Sequence, residues 1–368
     1  MGCPGEALLL VHTGAVVRPR LLPGFVALGL VVAACTVDDA STGAPATTND
    51  AARATMVEAG SAQANPSTPT TLPVAEDPTP SETDLTGRAA FERETTLDRA
   101  RALITPTGVV VPVIEEGADG YRILTPCGDE VTLVWGTPIY RAEVAIDAGH
   151  GGSESGAQGP NGLVEKDLNL LLARRAARVL TDRGISVVLT RSADYRIPLS
   201  SRAAIANELE VAVMISIHHN APVVNPSAGP GSEVFVQSGS AESRRLGGLV
   251  YEEIVAALEQ FEDVEWVTAS DAGALAVLNR DDEDAYGMIR RPNMPAVLAE
   301  FGYLANRSEA ELFATDEYLD VAATALADAV ERWLDTDDPG SGFVDEPRRF
   351  TPDGGTGGSG GCDDPPLE

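Results

Sequence analysis

Val144-Ala-Ile-Asp-Ala-Gly-His-Gly-Gly152 runs an apolar strand into a glycine-rich loop. Downstream, Glu165 to Arg183 sets Leu168, Leu171, Leu172, Ala176, Val179 and Leu180 at helical spacing, and Gly184 stops the helix. Ile185–Thr190 reads as a strand, Leu199–Leu209 as a helix and Val211–Ile217 as a buried apolar strand. Glu233–Gln237, Glu242–Glu259, Ala296–Glu300 and Thr315–Trp333 continue as strand, helix, strand and helix. This alternation predicts an α/β domain over residues 142–335, with a mainly parallel twisted sheet and helices on both faces.

Residues 89–141 have a different texture. Gly108–Ile114, Tyr121–Leu124 and Glu130–Trp135 are short β-rich runs broken by Gly and Pro, and predict a small β-rich unit preceding the α/β domain. A short helix is expected over Gly87–Leu103. Residues 36–88 are Ala, Thr, Ser, Pro, Asp and Glu without hydrophobic period, the composition of a disordered tether. Such a tether, extended at ~3 Å per residue, reaches on the order of 150 Å. The tail, 336–368, is rich in Gly, Pro and Asp and is read as disordered apart from any tie at Cys362.

The N-terminus carries an address. Arg18 and Arg20 precede the apolar run Leu21–Ala34, which has the size of a signal h-region. It ends Val32-Ala33-Ala34-Cys35, which resembles a bacterial lipobox with Cys35 as the lipidated first mature residue. An ordinary signal peptide or a membrane anchor is the other reading of residues 1–35. Either way the chain is expected to be exported, as a lipoprotein on the outer face of the cytoplasmic membrane if Cys35 is lipidated. Of the four cysteines, Cys127 and Cys362 would then remain, and are expected to pair in an oxidising compartment. The net charge of -30 argues against a nucleic-acid partner, whose phosphates need a basic surface.

The chemistry concentrates in the histidines. The chain has four, and His12 lies in the address segment. His150 follows the first α/β strand, and His218 and His219 close Val211-Ala-Val-Met-Ile-Ser-Ile-His-His-Asn220. Sites in open α/β sheets lie beyond the carboxyl ends of strands. Glu300 ends another apolar strand, where a charge needs a partner, and Glu165 opens the helix after the His150 loop. Two imidazoles and a carboxylate form a common catalytic zinc set, with a second carboxylate free to act as base. Adjacent strand residues point to opposite faces, so His219 is read as a neighbour of the ligands rather than one of them, together with Asn220.

Six ordered blocks now resemble one family. They are Asp147-Ala-Gly-His-Gly-Gly152, Glu165-Lys-Asp-Leu-Asn169, Thr190-Arg191, the helix carrying Arg202 and Asn207, Ser216-Ile-His-His-Asn220, and Pro295-Ala-Val-Leu-Ala-Glu-Phe-Gly-Tyr-Leu-Ala-Asn306. The chain resembles zinc-dependent N-acetylmuramoyl-L-alanine amidases of the bacterial cell wall over about residues 142–335. The resemblance implies His150, Glu165 and His218 as zinc ligands, Glu300 as the catalytic carboxylate, and peptidoglycan as substrate. Departures are small: Ala148 where Pro is usual, His219 where Ala is common, and Phe301-Gly-Tyr-Leu-Ala where Gly-Phe-Leu-Ser is usual. A zinc carboxypeptidase or endopeptidase of the stem peptide is the alternative enzyme reading. An inactive wall-binding lipoprotein is the non-enzyme reading, and it expects a damaged metal set. The acidic segment 262–291 is taken as a surface excursion rather than a lid or an autoinhibitory element.

Overall fold

The computed structural model describes residues 99–221, 225–350 and 362–368. Cys35, the apolar run before it, and the tether lie outside these residues. Among the described residues no helix is long and apolar enough to cross a membrane.

The first unit is a five-stranded sheet, ordered β4-β3-β2-β1-β5. Its strands are β1 (Ala102–Ile104), β2 (Val110–Gly117), β3 (Gly120–Leu124), β4 (Glu130–Leu133) and β5 (Thr137–Ile139), all paired antiparallel. The helix expected to reach Leu103 is corrected at its end. Ala102 and Leu103 are β1 and fully buried, because Val111 and Pro138 pair with Leu103 on either side. Burial in a two-sided ladder outweighs local helix propensity.

The second sheet has seven strands in the order β14-β12-β10-β13-β8-β6-β7. They are β6 (Val144–Ala148), β7 (Val187–Leu189), β8 (Val213–Asn220), β10 (Glu233–Val236), β12 (Ala274–Leu278), β13 (Ala296–Tyr303) and β14 (Arg348–Arg349). A two-stranded ribbon joins β9 (Asn225–Pro226) to β11 (Val267–Thr268). The helices are α1 (Glu165–Asp182), α2 (Leu199–Leu209), α3 (Ala241–Leu258), α4 (Gly287–Arg290), α5 (Arg307–Phe313) and α6 (Asp316–Asp335). Within the seven-stranded sheet, pairing is parallel except between β10 and β13. The β10, β12 and β14 block therefore runs against the β13, β8, β6 and β7 block. That reversal brings the first residue of β10, Glu233, opposite Glu300 in β13.

The two faces of this sheet are covered differently. The apolar stripes of α1, α3 and α6 bury Leu168, Leu172, Leu249, Ile254, Leu326 and Val330 against β6, β8, β10 and β13. On the opposite side, Ile205 and Leu209 of α2 share one core with Leu103, Val111 and Ile123 of the first sheet and with Ala145 and Met214 beneath. The small β-rich unit is thus packed onto the α/β domain. Three helix starts are capped by short polar side chains: Ser240, Asn306 and Thr315 accept the backbone N–H three residues on.

Two further expectations need correction. The acidic segment 262–291 is part of the sheet: Ala274-Leu-Ala-Val-Leu278 is a buried strand hidden between acidic loops. The tail is not disordered as a whole. Residues 336–350 lie along the sheet edge, where β14 pairs with β12 and Phe343 bridges to Ala274. Its Gly and Pro content gives no strand period, yet the open edge of β12 supplies the hydrogen bonds. Residues 351–361 lie outside the described residues. Beyond them Cys362 is joined to Cys127 by a disulfide with Cα atoms 5.6 Å apart, and Asp364 accepts the Cys127 backbone N–H at 2.7 Å.

Candidate active site

The loop after β6 has an unusual path. His150 sits at φ 61°, in the left-handed region, followed by Gly151 at 136° and Gly152 at 57°. A Cβ on Gly149 would lie 2.3 Å from the His218 ring, so only glycine lets the loop approach β8. Two guanidiniums hold this path. Arg202 donates to the carbonyls of Ala148 and His150, both at 2.7 Å. Arg191 donates to Ala148, Gly149 and Lys166 at 2.8, 3.0 and 2.7 Å. Both side chains are fully buried, and so is Asp147, which pairs with Arg202 at 2.8 Å. Thr190 and Ser216 also donate to Asp147.

Burial pushes the Asp147 carboxyl up, but Arg202, Ser216 and Thr190 outweigh it and bring it down to about 2. A carboxylate depressed in the folded state stabilises the fold above its ordinary pKa, and that contribution is lost as pH falls through the folded value. Asp147→Asn leaves Arg202 buried without its counter-charge. It is expected to cost about 3–5 kcal/mol at neutral pH, as for other broken buried pairs. The gap from the parent should narrow between pH 4 and 2. Urea unfolding of both proteins measures it, and a neutral-pH difference below ~1 kcal/mol would refute the role.

The loop delivers His150 to Glu165 and His218. Glu165 Oε1 lies 3.1 Å from His150 Nε2 and 3.0 Å from His218 Nδ1. One ligand atom from each of the three residues lies within 4.8 Å of the others. The two rings meet edge-on, with centroids 4.9 Å apart. Glu165 is buried, and its other oxygen accepts the Ala157 N–H at 2.7 Å. Burial alone would raise its pKa, but hydrogen bonds and attraction from His150 and His218 hold it well below the carboxylate range. Burial likewise lowers His218, against the pull of Glu165. Both shifts favour an anionic carboxylate beside a neutral imidazole, the forms that bind a divalent cation.

His219 is separated from this group. Its Nδ1 donates to Asn169 Oδ1 at 2.7 Å, so its Nε2 accepts from the Tyr318 hydroxyl at 2.6 Å. Phe301 stacks on it and Phe313 meets its edge. Burial lowers its pKa to about 3, which keeps the ring neutral. Both ring nitrogens are occupied, and its backbone N–H reaches Glu165 Oε1 at 3.2 Å. Asn169, one helical turn after Glu165, donates to the same oxygen at 3.3 Å.

Glu300 pairs with His218 in the β13–β8 register. Among the described residues its buried Oε2 has no hydrogen-bond partner. Burial, then the negative charges of Glu165 and Glu233, push its pKa well above the ordinary value, against the opposing charge of Arg348. Asn220 donates to Glu233 at 2.8 Å, placing it on the Glu300 side rather than among the three clustered residues. Asn169, Glu233, Tyr318 and Arg348 were not singled out from sequence. Only Asn169 carried a usable signal, its spacing of four from Glu165 on one helix.

The family model described as N-acetylmuramoyl-L-alanine amidase matches residues 144–332, half of the chain. The chain belongs to the N-acetylmuramoyl-L-alanine amidase family. Protein YqiI of Bacillus subtilis is 34% identical over 58% of this chain and 98% of its own length. The N-acetylmuramoyl-L-alanine amidase AmiC of Neisseria meningitidis is 29% identical over 53% of this chain, which spans 53% of that relative. The crystal structure of the N-acetylmuramoyl-L-alanine amidase from Clostridium difficile 630 is 30% identical, with a TM-score of 0.45 over 54% of this chain and 98% of that one. The activity of this amidase is hydrolysis of the amide between N-acetylmuramic acid and L-alanine in peptidoglycan. Family membership favours that bond over those within the stem peptide.

Proposed function

We propose that this amidase works with one zinc ion held by His150, Glu165 and His218, and with Glu300 as its proton-transferring carboxylate. The observation that carries the proposal is the convergence of three ligand atoms within 4.8 Å beside a carboxylate with a buried, unpartnered oxygen. The donor set fits zinc: two imidazoles and one anion leave a coordination position open. Bound there, zinc supplies the Lewis acidity that makes water nucleophilic near neutral pH and steadies negative charge on the amide oxygen.

The protein residues do the rest. Glu300 takes the proton of the attacking water and returns it to the departing amine of L-alanine. Burial and the charges of Glu165 and Glu233 raise its pKa, which strengthens it as a base for the water proton. Arg191 and Arg202 keep His150 in place by holding the carbonyls of Ala148, Gly149 and His150. Asn169 and the His219 N–H hold the Glu165 carboxylate to one orientation.

We infer that the amidase acts outside the cytoplasm, anchored to the outer face of the membrane through lipid on Cys35. The signal-like run ending at Cys35, the peptidoglycan substrate and the Cys127–Cys362 disulfide support this placement. Digestion of purified peptidoglycan tests the reaction. New L-alanine amino termini should accumulate with the zinc-loaded protein and vanish after chelation. Fragments cut within the stem peptide would refute the proposal.

A further inference from the structure

The segment after α6 lies beyond residues 144–332 matched by the family model, yet it reaches the active site. Phe343 bridges to Ala274, and β14 then pairs with Val277 and Leu278 of β12. This path brings Arg348 to Glu233. The guanidinium pairs with Glu233 Oε1 and donates to both carboxylate oxygens of Asp271, at 2.8 and 2.7 Å. Its Cζ lies over the Phe235 ring, 5.6 Å from the centroid.

Glu233 is 1% exposed and ties three strands together. Its Oε2 accepts from Asn220 Nδ2 at 2.8 Å and from the Tyr303 hydroxyl at 3.0 Å. Asn220 ends β8, two residues after His218. Tyr303 ends β13, three residues after Glu300. Glu233 itself opens β10 opposite Glu300. Asn220 and Tyr303 are neutral donors, so Arg348 is the counter-charge of this buried carboxylate among the described residues. A buried anion without a cation is costly, and its repulsion would fall on Glu300.

We propose that Arg348 is a positioning residue for the amidase reaction: by neutralising and orienting Glu233, it fixes the ends of β8 and β13 that carry His218 and Glu300. The C-terminal segment is thereby part of the active site rather than a trailing tail. The inference rests on the reading of Glu300 as the proton-transferring carboxylate.

Steady-state kinetics, zinc content and melting of R348M, R348K, E233Q and the R348M/E233Q double variant test it. R348M is expected to lower kcat about 10-fold or more with KM within about twofold, and with zinc unchanged. R348K should fall between R348M and the parent. Adding E233Q to R348M should recover much of the lost kcat, because the uncompensated charge is gone. A purely structural role would lower the melting temperature without that recovery. Parent-like kcat in R348M, or no recovery in the double variant, overturns the inference. If R348M does not fold, the R348M/E233Q double variant decides, since a kcat about 10-fold or more below the parent there overturns the inference and a kcat close to the parent sustains it. An active E300Q would instead overturn the reading beneath it, whatever R348M shows.

Discussion

Replacing Glu300 by Gln is expected to lower kcat on the order of 10³-fold or more while leaving zinc content and folding intact, within the range for loss of a general acid–base. The substitution keeps shape and removes only the ability to take and return a proton. Glu300 is not among the three residues whose ligand atoms converge, so the metal set survives it. Burial and the charges of Glu165 and Glu233 raise its pKa, and Gln removes one negative charge from a crowded site. The variant should therefore be at least as stable as the parent. That combination separates chemistry from structure: a dead enzyme that melts no lower and binds as much zinc. Turnover near that of the parent would sink the assignment. A matched loss of zinc would make Glu300 a ligand instead.

The parts of the site that were legible in sequence share a physical cause. His150 follows β6, and His218 and Glu300 lie two and three residues before the ends of β8 and β13, strands that run past the expected ends at Ile217 and Glu300. The carboxyl ends of strands in an α/β sheet are where ligands bind. Period-2 alternation separates His219 from His218, and the structure turns His219 to Asn169 and Tyr318. What stayed hidden depended on direction and edges. Glu233 reaches the site only because β10 runs antiparallel to β13, and nothing in Glu233-Val-Phe-Val236 encodes that direction. Arg348 reaches it through a two-residue strand, too short to show a period. The five residues of β12 are apolar, but acidic loops on both sides masked them. The β-rich unit was readable as strands, whereas its shared core with α2 was not, since packing partners distant in sequence leave no local pattern.

Glu165→Gln should abolish both zinc binding and activity, and it tests the metal centre more sharply than removal of either histidine. Glu165 Oε1 faces His150, His218, the His219 N–H and Asn169 Nδ2 together. Its Oε2 is engaged by the Ala157 N–H. An amide at this position must turn its NH2 toward either a backbone N–H or that donor-rich cluster, and it brings no negative charge to a divalent ion. Parent protein is expected to hold about one zinc per chain, as a three-ligand catalytic site does. Glu165→Gln should hold close to none after dialysis against a weak chelator. Because metal binding to the native state is folding free energy, added zinc should raise the melting temperature of the parent and leave that of the variant unmoved. His219→Asn provides the contrast. Its ring nitrogens serve Asn169 and Tyr318, so that variant should melt lower yet still take up zinc. Full occupancy in Glu165→Gln, or loss of zinc in a folded His219→Asn, would reverse the ligand assignment.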